Sequence, residues 1–503
     1  MNLHEAILAK IQSEAGKLAE RHQAYHNNLH IAHERELRRI ANPPAKVVQV
    51  PAYWNQDRKF NPFYVLKHAP AIARSIVAKL RQGTYRPMPP YIQQVPKPGG
   101  GFREVAVYQI PDAAVSNLFF ANLLEKNKHR FSSFAYAYRR DRNVQFAIQD
   151  IAVDLKSYDR LFVAEFDFSN FFGSISHPHL FEQLDKNGFL VSALDRQIIE
   201  AFVTANGTRR GIPQGTSISL FLANLACWQL DKKLESLGVK FARYADDTLI
   251  WSPDYQNICR AFDAISSFSK LTGVSINFRK SEGISLLTQE GLASEFGRPK
   301  HFINFLGYKL SPGKVAIKDS SVRRIKKQIS YLLYKNLIQP LQGPQLRALV
   351  IPANNEDPGL LVAISQVRRY LYGNLNEAML ARYATGDSFN ISFKGVMSFY
   401  PLVDNEEQLK ELDRWLGRTV FRCIQRRGEL LRQWQYNRDH VFPFNVARAQ
   451  FITAARSQRV GPRHRRLLAI PSFLRIHKAL RRGLLASGIE AVMNSGSQHY
   501  NYE

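Results

Sequence analysis

The chain has 503 residues, enough for two or three domains, with 45% apolar and 22% charged residues. Against 42 Asp and Glu stand 69 Lys and Arg, a formal charge of +27. Such a charge self-repels unless a polyanion neutralises it, which points to nucleic acid ahead of an acidic membrane surface. Cys227, Cys259 and Cys423 are too widely spaced for a disulfide framework or a zinc site. No apolar run approaches the ~20 residues of a membrane span, and the opening "MNLHEAILAKIQSEAGKLAE" lacks a secretory core. The expectation is a soluble, cytoplasmic protein without a membrane partner.

In chain order, residues 1–44 read as a helical extension with Leu3, Ile7, Leu8, Ile11 and Leu18 on one broad face. The Asn-Pro-Pro at 42–44 stops it. That face either packs on the main body or mediates self-association, which leaves a homo-oligomer open. From 45 to 318, short strand-like runs alternate with helical ones, an α+β pattern. "VPKPGGGFREVAVYQIP" (95–111) predicts two strands about a Gly-rich turn, and "LFVAEF" (161–166) a buried strand. "FLANLACWQLDKKLESLG" (221–238) predicts one helix ended by Gly238. "FINFLGYKLSPGKVAI" (302–317) predicts a hairpin turning at Ser-Pro-Gly. From 319 to 490, long helical runs carry two cation clusters: Arg323, Arg324, Lys326 and Lys327, then Arg463, Arg465, Arg466, Arg475, Lys478, Arg481 and Arg482. Residues 491–503 read as a flexible tail.

The acidic residues pose the functional question. "KFARYADDTLIWS" (240–252) sets Asp246 and Asp247 side by side at a tight turn, and Asp167 ends the run "LFVAEF". Nucleotidyl transfer onto a hydroxyl is an in-line displacement that two Mg²⁺ ions can serve. Mg²⁺ is held by one or two carboxylates with substrate phosphates and water. If the two strands are neighbours, Asp167 and Asp246 meet at one sheet edge, with Asp247 as a weaker ligand or orienting group. Otherwise each is a cap or turn residue. "GIPQGTSISLFLANL" (211–225) offers a loop whose backbone and Gln214 suit a nucleotide, or simply a loop with a helix cap. Lys97 and Arg103 flank the Gly-rich turn, suited to a triphosphate or to a solvated hairpin. Lys280, in "INFRKSEG", is placed to protonate departing pyrophosphate.

Together, "FDFSNFF" around Asp167, "GIPQGTSIS", "YADD", "GVSINFRKSEG" and "FLGY", in that order, resemble the motifs of reverse transcriptases over roughly 85–310. "VPKPGGGFREVAVYQIPDAAVSN" and "FSSFAYAYRRDRN" resemble the fingers segments of bacterial members. The resemblance implies a right-hand polymerase, with fingers and palm over 45–318 and an α-helical, basic, RNA-binding thumb region after it. It implies an RNA-directed DNA polymerase that uses two Mg²⁺ ions, an RNA template and dNTPs, and yields a DNA product. Residue by residue, it implies that Asp167, Asp246 and Asp247 are the metal carboxylates, joined by the Phe168 carbonyl. It places Phe172 at the aromatic position that blocks a 2′-hydroxyl, palm core being the alternative. Gln214 and Gly215 fall at the nucleotide pocket, Lys97 and Arg103 at the triphosphate, and Lys280 at the general acid. Phe305, Leu306, Gly307 and Tyr308 fall at the turn that grips the primer.

Viral-type RNA-copying RNA polymerases carry Gly-Asp-Asp and a second Asp where Phe172 stands, so Tyr-Ala-Asp-Asp points to DNA synthesis. "FKGVMSFYPLVDN" (393–405) and "RRYLYGNLNE" (368–377) resemble C-terminal segments of the defence-associated, unknown-group bacterial enzymes. That implies antiphage defence with a dedicated non-coding RNA template; retron, group II intron and diversity-generating types are the alternatives. Some defence-type relatives prime DNA on a protein tyrosine, which singles out Tyr500 and Tyr502; their plain reading is an unstructured end. Template-independent synthesis at the same site and an RNA-binding, maturase-like scaffold also stay open, although a pure scaffold needs none of the intact motifs.

Overall fold

The computed structural model describes residues 2–96, 100–205, 207–292, 294, 298–353, 356–386, 391–457 and 468–493. Lys97, Arg463, Arg465, Arg466, Tyr500 and Tyr502 lie outside the described residues. The chain divides into two compact units: residues 1–28, 47–147 and 158–300, and residues 29–46, 148–157 and 301–503.

The helix α1 (Leu3–Leu37) belongs to the first unit up to Asn28 and to the second from Leu29; its first-unit part sinks Ile7, Ile11 and Ala15, spaced four apart, into the same core as α2 (Pro62–Arg81). The apolar face of the extension therefore packs on the main body. Leu18, expected on that face, is 41% exposed, because the buried row runs on through Ala19. The strands β1 (Tyr91–Pro96) and β2 (Phe102–Val107) form the expected hairpin, with Tyr91 opposite Val107. Two longer helices follow, α3 (Ile110–Asn127) and α4 (Val144–Lys156), of which α4 belongs to the second unit from Ile148 onward. Then come β3 (Arg160–Phe166), β4 (Phe168–Ser169), α5 (Phe171–Ser174), α6 (His177–Lys186) and α7 (Ala193–Val203).

The single helix expected over 221–238 is two, α8 (Ile218–Ala226) and α9 (Trp228–Ser236). They meet at buried Cys227, whose ψ of −2° interrupts the ladder before Asp231 N–H bonds back to its carbonyl. The unit closes with β5 (Lys240–Tyr244), β6 (Asp247–Ser252), α10 (Tyr255–Thr272), β7 (Ser275–Ile276) and β8 (Gly283–Thr288). Its main sheet is antiparallel in the order β5-β6-β3-β8. β3 and β6 read as near-continuous apolar runs because the sheet is covered, not half-solvated.

In the second unit, β9 (Ile303–Phe305), β10 (Tyr308–Ser311) and β11 (Lys314–Ile317) form a three-stranded antiparallel sheet, one strand more than the expected hairpin. Leu306 and Gly307 make the β9–β10 turn with φ of +46° and +85°, the primed geometry that suits strand twist. The rest is helical: α11 (Asp319–Leu333), α12 (Pro358–Tyr372), α13 (Glu377–Thr385), α14 (Glu406–Gln433), α15 (Arg448–Ser457), α16 (Phe473–Ser487) and α17 (Ile489–Val492). The 393–405 segment is structural: Asp404 accepts from the Val315 N–H at 2.6 Å, and Tyr308 donates its hydroxyl to the Phe399 carbonyl at 2.7 Å. The α+β class with a helical C-terminal region holds. Among the described residues, no helix is long and apolar enough to cross a membrane.

Candidate active site

β3 and β6 are neighbours, with Phe166 opposite Thr248, so Asp167 leaves the sheet at the end where β5 turns into β6. Tyr244 pairs with Asp247 across that turn, which leaves Ala245 and Asp246 as its two central residues. Ala245 has φ of +60°, a left-handed conformation that costs an L-residue about 1–2 kcal/mol. Strain of this kind gathers where a side chain must be aimed; here it aims Asp246 into a cleft of about 910 Å³ shared with Asp167, Phe168, Phe172, Gln214 and Lys280. Asp167 is 7% exposed and Asp246 half-buried, whereas Asp247 is exposed and starts β6.

A buried arginine holds the turn. Arg243 and Asp231 are both 0% exposed and pair bidentately at 2.7 and 2.6 Å. The third guanidinium nitrogen donates to Asn224 Oδ1 and to the Ala245 carbonyl, both at 3.2 Å. Burial disfavours the guanidinium's charge, but the Asp231 carboxylate outweighs it and holds Arg243 above its ordinary value. The strained residue is thus tied to α8 and α9 through one fixed fork.

Asp167 is oriented from the other side. Its N–H donates to Ser281 Oγ at 3.2 Å, its carbonyl accepts from Asn277 N–H at 2.8 Å, and its Oδ2 accepts from Asn277 Nδ2 at 3.3 Å. Because Asp167 and Asn277 share that bond, the next residues in the β4–β7 ladder, Phe168 and Ile276, form the alternate, non-bonded pair. The Phe168 carbonyl therefore points away from β7. Lys280 Nζ lies 2.5 Å from Asp167 Oδ2, and that hydrogen bond raises the ammonium above its usual pKa. Burial pushes the Asp246 carboxyl up and the Asp167 charge adds to the rise, while Arg103 and Lys280 oppose it.

The loop at 211–215 docks on the β1–β2 hairpin. Ala106 N–H donates to the Gln214 carbonyl at 2.8 Å. Gly215 has φ of +110°, and a Cβ there would sit 2.1 Å from the Ala106 carbonyl oxygen, so only glycine allows this approach. Ser116 and Thr216 hydroxyls bond to each other, and Ser116 Oγ also accepts from Ile218 N–H at 2.9 Å. Exposed Arg103 on β2 lines the same cleft. Phe172 is half-buried: its ring meets Phe171 edge-on at 5.7 Å and Tyr138 at 6.4 Å, and the side chain also lines the cleft. Core packing and lining of the cleft coexist in one residue. Of the expected primer-grip residues, Phe305 and Tyr308 are buried inside the second unit, and Leu306 and Gly307 form its half-exposed turn.

Among the described residues, no group of three or more His, Cys, Asp or Glu side chains converges to hold an ion. Mg²⁺ does not require one, since one or two carboxylates suffice when substrate phosphates and water complete the shell. Asp167 and Asp246 are hard oxygen donors close enough that one's charge raises the other, and the Lys280 ammonium rests on Asp167 as a cation. The site fits. No sequence motif marks a role for Asn277, Ser281 and Arg243, which orient the carboxylates, or for Arg210, which also lines the cleft. Asn277 and Ser281 stand in the same "INFRKSEG" as Lys280, but only the β4–β7 register shows that they face Asp167.

Residues 95–310 match the model of the family described as "Reverse transcriptase (RNA-dependent DNA polymerase)". This segment is a reverse transcriptase domain. The chain is 23% identical over 390 residues to the putative COX1/OXI3 intron 2 protein of Saccharomyces cerevisiae, covering 63% of this chain and 42% of that protein. It is 27% identical over 124 residues to the retron Ec86 reverse transcriptase of Escherichia coli, covering 24% of this chain and 37% of that one. The chain thus spans about two fifths of the length of these curated relatives. Among solved structures it is similar to a telomerase from Candida tropicalis in complex with the TWJ fragment of telomeric RNA, with TM-score 0.37, 14% identity, and coverage of 85% of this chain and 64% of that one.

Proposed function

We propose that the chain is an RNA-directed DNA polymerase that transfers dNTPs at the Asp167–Asp246 cleft. The observation that carries this reading is the arrival of both carboxylates at one end of neighbouring strands, inside a domain that matches the family. Asp167, Asp246 and the Phe168 carbonyl would hold Mg²⁺, with Asp247 at the edge. When bound, the metal activates the attacking hydroxyl and stabilises the leaving oxygen. Asn277 and Ser281 keep Asp167 in place, and Arg243 keeps Asp246 in place. Arg103, with Lys97, grips the triphosphate, while Gln214 and the Gly215 backbone position the nucleotide. The Phe172 ring excludes a 2′-hydroxyl and so selects dNTPs. Lys280 supplies a proton to departing pyrophosphate once substrate draws it from Asp167. The Leu306–Gly307 turn contacts the primer.

The biological setting we favour is antiphage defence with a dedicated non-coding RNA as template. Its support is the likeness of residues 368–377 and 393–405 to defence-type enzymes and the strongly basic charge. A reducing compartment suits three free cysteines, of which Cys227 is buried and its thiol pushed up to about 12. The test is to purify the protein with its bound RNA, supply labelled dNTPs singly and together, and digest the product with RNase and DNase. DNase-sensitive product with a base composition complementary to the RNA is expected. Tightly bound RNA with no product under any mixture would replace this reading with the scaffold.

A further inference from the structure

The helix α14 carries cations at every fourth residue: Lys410, Arg414, Arg418, Arg422 and Arg426, all exposed. Like charges at this spacing face each other and destabilise a helix. At its ends the row is neutralised locally, Lys410 by Glu406 and Glu407, and Arg426 by Glu429. Elsewhere on the helix, Arg427 pairs with Asp357 and Arg432 with Asp439. Arg414, Arg418 and Arg422 have no ion-pair partner among the described residues, and the sequence from 414 to 428 holds five arginines and no acid. An ordinary solvated face intersperses both signs; this one does not.

The unpaired row borders a recess of about 470 Å³, lined by Arg418, Phe421, Arg422 and Gln425 on α14 and by Ala447 to Ala449 at the start of α15. Arg448 adds a fourth guanidinium without an ion-pair partner among the described residues. Two features build the recess. A Cβ on Gly417 would lie 3.3 Å from Ile452 Cδ1, so glycine lets α15 come close to α14. Phe421, half-buried, is backed by the Phe451 ring at 6.0 Å, which leaves its remaining face toward the recess. Each four-residue step along the row is about 6 Å, commensurate with successive phosphates of an extended strand. A flat aromatic beside guanidinium planes and one amide suits a single unstacked base.

We propose that this recess takes one unpaired nucleotide of a nucleic-acid strand, its base against Phe421 and Gln425 and its flanking phosphates on Arg414, Arg418, Arg422 and Arg448. The chemistry is shared by RNA and DNA strands; the polymerase reading favours RNA, and the proposal rests on that reading only for this choice. It places a specific contact on a helix that neither of the cation clusters noted in the sequence includes.

The test uses the full chain freed of co-purified nucleic acid, with fluorescence anisotropy of labelled single-stranded RNA, the same sequence as DNA, duplex RNA, and anionic vesicles. Exchanging Arg418→Gln and Arg422→Gln together should weaken single-strand binding at least tenfold and flatten the salt dependence by about 0.7 per lost phosphate contact. Phe421→Leu should weaken single-strand binding about fivefold or more, with the salt slope and duplex binding unchanged. Arg432→Gln, whose side chain pairs with Asp439, should behave as the parent. Stronger loss on RNA than on DNA assigns the strand. Parental binding by the double variant, an equal loss in Arg432→Gln, or a loss confined to vesicles would overturn the proposal. Since the readout is binding, a chain that proves unable to polymerise dNTPs still tests the recess.

Discussion

Among the described residues each unit buries one arginine–aspartate pair, and the two do different things. In the first, Arg243 and Asp231 leave one guanidinium nitrogen for the Ala245 carbonyl, inside the strained turn that aims Asp246. In the second, Arg427 and Asp357 pair at 2.7 and 3.1 Å, and the remaining nitrogen donates to the Leu337 carbonyl at 2.9 Å. Asp357 also caps α12 through the N–H groups of Gly359 and Leu360. The second pair therefore ties helices together, its third donor ending on the Leu337 carbonyl and not in a strained turn. A buried ion pair contributes little net stability against an apolar substitute, but removing one partner strands the other. The lesson is that the same fork can hold a core or aim a cleft carboxylate, here the proposed metal ligand Asp246, depending on where its third donor ends.

Substitutions at five positions would sharpen or break this contrast. Asp246→Ala removes the group the first pair aims, and dNTP incorporation should fall more than about 100-fold, beyond the loss expected for an outer partner of a metal site. Arg243→Ala and Arg427→Ala should each cost about 3–5 kcal/mol in denaturant unfolding. The Lys replacements separate them: a lysine cannot reproduce the fork, so Arg243→Lys should lower kcat more than its effect on stability accounts for. Arg427→Lys should move stability alone; equal kinetic losses would remove the distinction. His477 in the second unit is held down to about 4 from 6.5 by burial, with Arg481 and Lys478 adding to the fall and Glu406 and Asp404 opposing it. A depressed base contributes stability above its unfolded value, so up to about 3 kcal/mol should be lost as pH falls from 6.5 through 4, and His477→Gln should flatten that slope. Gly215→Ala, which forces a side chain at φ of +110° onto the Ala106 carbonyl, should cost more than about 1 kcal/mol and raise the KM for dNTPs through displacement of β2.

The carboxylates were legible because their neighbours are. "LFVAEF" reads as a buried strand, and "KFARY" and "TLIW", separated by the three residues 245–247, read as a hairpin, so the sites of Asp167 and Asp246 at strand ends are visible in the sequence, while their meeting waits on the pairing of β3 with β6. The supporting groups were not legible. Arg243 reads as an ordinary outward residue of a strand, and nothing local shows that Asp231, twelve residues earlier, is buried opposite it. That depends on the break at Cys227, where the sequence gives continuous helical periodicity. Leu18 misled for the opposite reason: two alanines, Ala15 and Ala19, allow closer packing than a leucine on the same helix. The unpaired row on α14 was hidden within a generally basic region, since ion pairing rather than composition sets it apart.

The most direct test is single-turnover extension of a DNA primer on a defined RNA template, with Mg²⁺ and each nucleotide as dNTP or NTP, by the parent chain and by Asp246→Ala. Template-directed dNTP addition by the parent, little NTP addition, and loss of both in the variant are expected. Undiminished extension by Asp246→Ala, with the variant folded, would contradict the proposed role of Asp246.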